Sequence, residues 1–423
     1  MSQPPAGLAL RPFVAARYSD PARLRALTSP AYDLIAPAER AQLAGADPHS
    51  IVHLTLPTFG VQDAARRLTL WRREGVLCTD PQPALFVYEM AEATGTPITR
   101  GWIGAVGIPP RSSGGAAAAP IVPHEDTVAA VVADRLRLRA ATEADLEPIV
   151  LAHDGGPAEA ERVADAHVAA GVAIIDLVDG SGVRHRVWRV DDPAQVAAVC
   201  ADVASRRAVI ADGHHRYASA TAHRNMIYEA TGEPGPAGRI LALLVPIGLH
   251  GPRVQAIHRV VPGLPLAVAA ATADEVFQVD PIGPLTDHDA DELLGTAADT
   301  LLLVTDGTRW LRFTRPQRRQ LVGRPDWQDL DVALTDVGLV AERWGAADSV
   351  VLRHAVGAAV TAARQCDGVA VLLRPTPAST VLDLAARGVL MPRKSTFFVP
   401  KPRTGLLMRC FADEPGGESA RPQ

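Results

Sequence analysis

The sequence has few aromatic residues, few cysteines and no long apolar run. Aromatic side chains make up 4% of its 423 residues, and the four cysteines stand singly, at Cys78, Cys200, Cys366 and Cys410. Without a C-x-x-C pair, neither a cysteine zinc site nor a disulfide framework is expected. No stretch approaches eighteen uninterrupted apolar residues, so no transmembrane helix is predicted. Residues 1–5 also lack the charged and apolar regions of a signal peptide, and we expect a soluble, cytoplasmic protein.

A strong charge of either sign is also lacking. The chain has 42 basic and 47 acidic residues, a net charge of -5. Such a balance gives no general attraction to nucleic acid or to an anionic membrane, so neither is expected as a partner. Any binding of phosphate must therefore depend on a local group of residues.

The length and the pattern of elements predict more than one domain. At 423 residues the chain exceeds one ordinary hydrophobic core. We predict a domain over 1–262, an α/β domain over 263–411 and a disordered tail over 412–423. Strands and helices alternate irregularly from the start, which indicates an α+β (mixed α/β) fold. A strand is predicted at 51–56 and a helix beginning at 142.

The most informative stretch runs from Arg206 to Ala220. Residues 208–211 are small or branched and apolar, as in a short buried strand, and no helix breaker lies between Gly213 and Gly232. The sequence therefore predicts a strand, a tight turn and a helix. A glycine there lets a ligand approach the backbone, and the first turn of a helix offers unpaired N–H groups.

Basic residues follow this glycine directly. His214, His215 and Arg216 stand where the helix dipole disfavours positive charge, so we expect an anion, most simply a phosphate, to bind there. In the alternative interpretation, Asp212 only caps the helix and the basic residues are solvated. We expect Gly213→Val to abolish nucleotide binding and to leave the protein folded.

A second polar cluster is His124-Glu125-Asp126-Thr127. Glu125 could take a proton from a substrate hydroxyl, or Glu125 and Asp126 could hold a magnesium ion. The alternative is a capping turn with no chemistry. A zincin helix is excluded, because the second histidine of H-E-x-x-H would stand where Val128 is found.

Other positions are candidates for phosphate contacts. Arg135, in a run with Arg137 and Arg139, could face a phosphate, although such a run is also typical of a solvated helix face. The adjacent Lys394, Ser395 and Thr396 could clamp a phosphate or only be solvated.

Two short pairs are also candidates for a pocket. Tyr32 and Asp33 could face a pocket from their loop or form a surface turn. The pair His258-Arg259 could face the same pocket or lie on an edge strand.

These motifs occur in a fixed order over nearly the whole chain. They are Arg11-Pro12-Phe13, Pro30-Ala31-Tyr32-Asp33, His124-Glu125-x-Thr127, Asp134-Arg135, Ala211-Asp212-Gly213-His214-His215-Arg216-Tyr217, His258-Arg259 and Met391-Pro392-x-Lys394-Ser395-Thr396. In these seven motifs the chain resembles the bacterial and archaeal family catalogued as domain of unknown function 1015. That family has no settled activity, so this resemblance implies no reaction.

The element from Asp212 to Ala220 also resembles the signature of the ParB/sulfiredoxin superfamily, including its free-serine kinases with D-G-H-x-R. The resemblance implies a ParB/sulfiredoxin-like nucleotide-binding core with an additional α/β domain. It further implies a nucleotide on Gly213, His215 and Arg216, Asp212 near the transferred phosphoryl group, and Glu125 as the base. His214 stands where sulfiredoxins have their reactive cysteine, which speaks against that redox chemistry. No helix-turn-helix pattern supports DNA binding.

Our first functional hypothesis is a nucleotide-dependent kinase that phosphorylates a small hydroxyl-bearing metabolite, such as free serine or a similar amino acid. ATP or ADP would be the nucleotide, with Mg2+ bridging its phosphates and no protein-held metal site. The predicted catalytic residues are Asp212, Glu125 and His124. The predicted nucleotide-binding residues are Gly213, His214, His215, Arg216, Arg135, Lys394, Ser395 and Thr396.

Two other classes of function are open from the sequence. The chain could be a nucleotide-binding regulatory protein without catalysis. Metal-dependent hydrolysis through the histidines is the third hypothesis.

Overall fold

A computed structural model describes residues 7–110, 119–155, 159–248, 251–317 and 324–415. The serines and glycines at 112–115 predict a flexible loop, which lies outside these ranges, as does the predicted tail from residue 416. Residues 411–413 form a 3-10 turn, and Glu414 after them is buried. In this described part of the chain, no helix combines the length and the apolar character needed to cross a membrane.

Strands and helices mix along the whole chain. The strands are β1 Leu10–Arg11, β2 Ala15–Tyr18, β3 Leu77–Thr79, β4 Leu85–Glu92, β5 Pro97–Gly107, β6 Ile121–Val122, β7 Ala144–Asp145, β8 Ile149–Asp154, β9 Ile175–Val178, β10 Val183–Val190, β11 Ala208–Asp212, β12 Arg239–Ile247, β13 Arg253–Gln255, β14 His258–Val261, β15 Gln278–Ile282, β16 Leu302–Thr305, β17 Trp310–Thr314, β18 Val351–Arg353, β19 Val369–Leu373, β20 Phe397–Val399 and β21 Met408–Cys410. The α-helices are α1 Leu24–Leu27, α2 Pro37–Ala46, α3 Val52–Thr55, α4 Val61–Arg73, α5 Ala129–Thr142, α6 Glu159–Ala170, α7 Pro193–Val203, α8 His214–Thr231, α9 Leu266–Ala273, α10 Asp287–Thr296, α11 Asp331–Ala333, α12 Val356–Gln365 and α13 Ala378–Ala386. A π-helix, Leu334–Ala341, follows α11. The mixed α/β class predicted from the sequence is confirmed.

The chain divides into two compact units. The first unit comprises 1–123, 127–252 and 400–423, and the second comprises 124–126 and 253–399. The domain boundary at residue 262 stays a prediction from the sequence.

The first unit is built on a nine-stranded mixed sheet. Its order is β6-β11-β8-β12-β5-β4-β10-β9, and β1 pairs with β5. The pairs β11–β6 and β12–β8 are parallel, and the other pairs are antiparallel. Apolar residues of α6, α7 and α8 pack with those of the sheet in one core cluster. A smaller sheet, β3-β2-β21-β7, brings the end of the chain into the same unit.

The second unit has an antiparallel sheet of order β15-β17-β16-β19-β14-β18. Helices α10 and α12 pack on it and share its apolar core. The first and last residues of its main segment, 253–399, lie side by side, because β13 pairs with β20 and Arg253 lies opposite Val399.

Two predicted elements are wrong. Residues 51–56, predicted as a strand, contain α3, because a short apolar run does not distinguish a helical turn from a strand. A helix does not begin at 142. There α5 ends at Thr142, Glu143 after it has a left-handed backbone with φ of 46°, and β7 follows.

Candidate functional site

The predicted strand-turn-helix element is confirmed. Buried strand β11 ends at Asp212, Gly213 is left-handed with φ of 94°, and α8 runs for 18 residues to Thr231. A bulge between Ile210 and Asp212 shifts the register of β11 against β8, which changes the direction in which the last side chain of the strand points. Gly213 has no side chain with which to cap the first N–H groups of α8.

Gly213 also has a structural role that the sequence did not reveal. A β-carbon at this position would lie 2.6 Å from Cγ2 of Ile149, and φ of 94° disfavours any other residue. A substitution at Gly213 therefore strains the fold itself. That a Gly213→Val variant folds stays a prediction, and the crowding by Ile149 indicates that such a variant is less stable than the wild type.

Arg216 reaches back to the end of the strand. Its Nη2 lies 2.5 Å from Oδ2 of Asp212, and its Nη1 donates to the carbonyl of Pro148 at 2.6 Å and lies 3.7 Å from Oε1 of Glu147. Burial acts to lower the pKa of Arg216, but the carboxylates of Glu147 and Asp212 raise it above its ordinary value. The guanidinium is therefore charged and held in place.

Lys401 is a site residue that the sequence analysis missed. Its Nζ lies 2.6 Å from Oδ1 of Asp212 and 2.6 Å from Oδ2 of Asp33, and its side chain is only 8% exposed. Burial acts to lower the pKa of Lys401, but Asp212 and Asp33 raise it. One signal was available: the chain has 40 arginines and only two lysines, Lys394 and Lys401.

Tyr32 lies close to two guanidinium groups. The charge centre of Arg135 is 4.7 Å and that of Arg216 is 5.7 Å from the centre of its ring. Arg135 also donates to the carbonyl of Thr55 at 2.8 Å and pairs with Asp134 at 2.5 Å. The loop of Tyr32 and Asp33 thus joins the same cluster as Arg216.

The arginine run of α5 divides between two faces. Arg135 is 11% exposed and Arg139 is 7% exposed, whereas Arg137 between them is 64% exposed. A solvated helix face, the alternative considered from the sequence, thus describes Arg137 alone.

The two histidines differ in their surroundings. Nε2 of His215 accepts a hydrogen bond of 3.0 Å from the N–H of Val128, the residue before α5. This bond requires an unprotonated Nε2, so the described contact makes His215 an acceptor that fixes the start of α5. His214 is half-buried on the first turn of α8.

We define the Asp212 cluster as Asp33, Glu147, Asp212, Arg216 and Lys401, all of the first unit. When all five are ionised, three carboxylates meet two cations, and the cluster has a net charge of -1. Among the described residues, no group of three or more His, Cys, Asp or Glu side chains is placed to hold a metal ion. The hypothesis of metal-dependent hydrolysis therefore finds no ligand group in that part of the chain.

A small cavity adjoins this cluster. It encloses about 50 Å³ and is lined by residues that include Arg135, Glu147, Arg216 and Ser219. Such a volume holds a few water molecules, whereas sites for drug-sized ligands are roughly 300–1,000 Å³. A whole nucleotide does not fit there.

A larger groove lies elsewhere in the first unit. It encloses about 460 Å³ and is lined by residues that include Arg72, Arg73 and Thr142. None of its lining residues is a predicted site residue.

Two predicted motifs meet in the second unit. Nε2 of His124 lies 2.8 Å from Oγ1 of Thr396, and the carbonyl of His124 accepts from the N–H of Met391 at 2.8 Å. The buried ring of His124 contacts Phe398 edge to face at 5.8 Å. Residues 272 positions apart in the sequence are thus neighbours.

Glu125 lies beside Lys394 in this second group. Burial raises the pKa of Glu125, and the backbone N–H of Lys394 and the charges of Lys394, Arg393 and Arg259 oppose that rise. Lys394 is left-handed with φ of 58°, and its carbonyl accepts from Arg259 at 3.0 Å. A carboxyl with a raised pKa is suited to general base catalysis near neutral pH.

Arg259 and Ser395 donate hydrogen bonds to backbone carbonyls of the turn that contains Lys394. Arg259 is 1% exposed and pairs with Asp336 at 2.8 and 2.7 Å, and Ser395 donates to the carbonyl of Pro392. The role of an edge-strand residue, considered for Arg259 from the sequence, is wrong, because β14 lies between β18 and β19.

The predicted site residues thus form two groups. Asp212, Gly213, His214, His215, Arg216 and Arg135 belong to the first unit, and His124, Glu125, Lys394, Ser395 and Thr396 belong to the second. Each group unites motifs that are far apart in the sequence. The roles given to these residues stay predictions.

This fold is a mixed α/β architecture with several sheets, and its polar motifs collect in two groups. The chain belongs to the family described as "Protein of unknown function (DUF1015)", whose model matches residues 10–333. The resemblance stated from the seven motifs is confirmed. No curated protein matches the sequence significantly.

Solved structures with a similar arrangement are distant in sequence. One is a free serine kinase in complex with AMP, with 13% identity, a TM-score of 0.34, and coverage of 68% of this chain and 89% of that chain. A conserved hypothetical protein from Pyrococcus furiosus has 13% identity and a TM-score of 0.33, covering 71% and 94%. SbnI from Staphylococcus aureus, with a C-terminal truncation, has 10% identity and a TM-score of 0.35, covering 69% and 84%.

Proposed function

We propose that this protein binds ATP or ADP and transfers the terminal phosphoryl group to a small hydroxyl-bearing metabolite. The observation that carries the proposal is the junction of β11 and α8. A helix of 18 residues starts at a left-handed glycine, directly after a carboxylate that lies between two nearly buried cations. A helix start of this kind favours phosphate, because its N–H groups and its dipole both attract negative charge.

The residues of the junction divide the work in this proposal. Gly213 and the first turn of α8, with His214 and His215, contact the phosphates, and Arg216 and Arg135 supply positive charge. Asp212 accepts a hydrogen bond from the acceptor hydroxyl and orients it. In the transfer, a bond forms between the acceptor oxygen and the terminal phosphorus, the bond to the leaving nucleotide breaks, and the hydroxyl proton passes to a carboxylate. Phosphoryl transfer depends mainly on such positioning and on charge stabilisation.

Magnesium would accompany the nucleotide. The net charge of -1 on the Asp212 cluster opposes a bare polyphosphate, and a divalent cation removes that repulsion. Mg2+ is usually held by one or two carboxylates together with substrate phosphates and water. Asp212 is the carboxylate that would hold it, and the ion would supply neutralisation of charge on the phosphates.

The acceptor and the fold relationship belong to the same proposal. We take the acceptor to be free serine or a similar amino acid, and the core to be ParB/sulfiredoxin-like, on the resemblance of the Asp212–Ala220 element to that superfamily. Glu125 and His124 stay candidate catalytic residues from the sequence, and Lys394, Ser395 and Thr396 stay candidate phosphate contacts.

The second candidate function is a nucleotide-binding regulatory protein without catalysis. One observation favours it: Arg216 and Lys401 are already paired with carboxylates of the chain. Carboxylates that bind cations so closely leave less charge for stabilising a transition state.

A turnover assay separates the two functions. The purified protein is incubated with Mg2+, with ATP or ADP, and with a panel of hydroxyl metabolites that includes free serine, and phosphorylated product is measured by mass spectrometry. Product that depends on one acceptor supports the kinase. Nucleotide-induced thermal stabilisation without any product supports the regulatory protein. Neither product nor stabilisation overturns both.

A further inference from the structure

Lys401 forms ion pairs with two carboxylates that differ in how easily a ligand can replace them. Its ammonium bridges Asp212, which ends a buried strand, and Asp33, which lies on a 3-10 turn of three residues. The side chain of Asp33 is 32% exposed, and that of Asp212 is 10% exposed. Asp33 is therefore the partner that solvent and a ligand can reach.

The choice of lysine at this position is itself informative. Arginine occupies 40 of the 42 basic positions, and Lys401 is one of the two lysines. An ammonium is a compact charge that donates in three directions from one atom, whereas a guanidinium is a flat fork. A single nitrogen at 2.6 Å from two different carboxylates uses this property.

The segment that carries Lys401 is fixed by hydrogen bonds of its backbone and of one side chain. Ser29 and Thr404 exchange backbone hydrogen bonds of 3.1 and 2.9 Å, and Oγ1 of Thr404 donates to Glu147 at 2.7 Å. The backbone N–H of Arg403 donates to the hydroxyl oxygen of Tyr88 at 3.1 Å. These bonds set the position of residue 401 next to the Asp212 cluster.

Tyr88 is in turn fixed by a chain of hydrogen bonds through His185 to Asp179. Its hydroxyl lies 2.7 Å from Nδ1 of His185, and Nε2 of His185 lies 3.3 Å from Oδ2 of Asp179. Because a carboxylate only accepts, Nε2 donates to Asp179 and Nδ1 accepts from Tyr88. The hydroxyl oxygen of Tyr88 is then oriented to accept from Arg403.

We propose that Lys401 is a further ligand-binding residue of the Asp212 cluster, where a phosphate oxygen of the nucleotide takes the place of Asp33 beside the ammonium. Tyr88 is a positioning residue that fixes the segment of Lys401. Asp212 keeps its contact with Lys401 during this exchange. The inference rests on the proposed function for the identity of the ligand.

The exchange predicts opposite effects for two partners of one ion pair. Asp33→Asn removes the carboxylate that competes with phosphate, so affinity for Mg-ADP and for inorganic pyrophosphate rises by about tenfold. Lys401→Met lowers both affinities by about tenfold or more, and Lys401→Arg does not restore them. Dissociation constants are measured by calorimetry, with circular dichroism as the check that each variant is folded.

A ligand-free measurement tests the role of Tyr88. The protein is treated with an acylating reagent, and acylation of Lys401 is compared with that of Lys394, the other lysine, by peptide mass spectrometry. Tyr88→Phe raises the relative rate at Lys401, because the segment is less tightly fixed. A purely structural role for Tyr88 leaves the ratio unchanged.

The outcomes separate the inference from the proposed function. If Mg-ADP and Mg-ATP do not bind but pyrophosphate binds with the opposite effects of the two variants, the proposed function fails and the inference stands. If Asp33→Asn weakens pyrophosphate binding or leaves it unchanged, or if no phosphate probe binds, the inference is overturned. If Lys401→Arg binds as well as the wild type, the specific role of an amine is wrong.

Discussion

Arg216 lies 2.5 Å from the carboxylate of Asp212, four residues earlier in the chain, across the turn that starts α8. The basic residue at the helix start therefore meets an anion that the chain itself supplies. A ligand must share this arginine with Asp212. Binding then depends on the geometry of the pair as well as on its charge.

The pair predicts a specific effect of Arg216→Lys. The lysine keeps the charge but loses the fork that contacts Asp212 and the carbonyl of Pro148 together. We expect the free energy of unfolding to fall by about 1–3 kcal/mol and nucleotide affinity to fall roughly tenfold. Chemical denaturation and calorimetry measure the two effects. Arg73→Ala, in the larger groove, is the control and should bind nucleotide normally; the reverse result would place the nucleotide in that groove.

Two glycines at the ends of one helix provide a matched test of strain. Gly213 and Gly232 are both left-handed, with φ of 94° and 80°, but only at Gly213 does a β-carbon meet a neighbour, Ile149. Gly232→Ala should cost about 1 kcal/mol of stability. Gly213→Ala should cost about 1–3 kcal/mol more, because crowding adds to strain.

A double variant checks the cause. Combining Gly213→Ala with Ile149→Ala should cost less than the sum of the two single changes. Equal losses for the two glycine variants in denaturant unfolding would show that crowding by Ile149 is unimportant.

Glu125 gives a prediction about pH and rate. Burial raises its pKa, so a base at this position gains activity as the pH rises through that raised value. Glu125→Gln should lower kcat by about 10²–10⁴-fold and remove this limb of the pH profile. Asp126→Asn distinguishes the alternative, because a magnesium ion held by both carboxylates requires both. An unchanged pH profile in Glu125→Gln would remove Glu125 as the base.

His258 predicts that stability falls in mild acid. Burial, with the charges of Arg259 and His354, lowers its pKa to about 4, and its Nδ1 accepts from the N–H of Leu373 at 3.2 Å. The unfolded chain binds the proton first, near pH 6.5, so the contribution is complete above that pH. It is lost as the pH falls from about 6.5 to about 4, by up to about 3 kcal/mol.

The control for this pH effect keeps the hydrogen bond without the titration. His258→Asn presents an amide oxygen to Leu373, so its unfolding free energy should vary less between pH 7 and pH 4. Denaturant unfolding at several pH values measures both proteins. Identical pH dependence would assign the effect to other groups.

Asp145 anchors a buried ion cluster and lines the same small cavity as Arg216. It accepts from Arg139 at 2.8 Å and from Arg409 at 2.9 Å, and Arg409 has no exposed surface. Asp145→Ala should cost about 3–5 kcal/mol, because two buried cations lose a carboxylate that both contact. Asp176→Ala, which breaks a more exposed pair with Arg184, should cost at most about 1 kcal/mol. Similar costs in denaturant unfolding would contradict this contrast.

Local patterns in the sequence predicted α8 well. An unbroken stretch between Gly213 and Gly232 predicted this helix, and Gly232 has the left-handed backbone that the C-terminal ends of helices favour. The apolar run at 51–56 failed because a single turn and a short strand bury similar side chains.

The site was less predictable, because its contacts are long-range. Lys401 contacts Asp33, 368 positions away, and no local pattern records such a contact. The motifs around His124 and Lys394 were recognised separately, but their meeting in one group required the fold. The near absence of lysine was a usable signal, because it singled out both residues.

The first unit is interrupted by residues 253–399 and completed only by residues from 400 onward. During synthesis on the ribosome, residues 253–399 emerge as one continuous segment. The second unit can therefore fold before strand β21 of the first unit has been made. Strand β21 and Lys401 leave the ribosome only after this segment, so the Asp212 cluster closes after the second unit has been synthesised. A chain cut before residue 400 would thus lack both strand β21 of the smaller sheet and the ammonium beside Asp212.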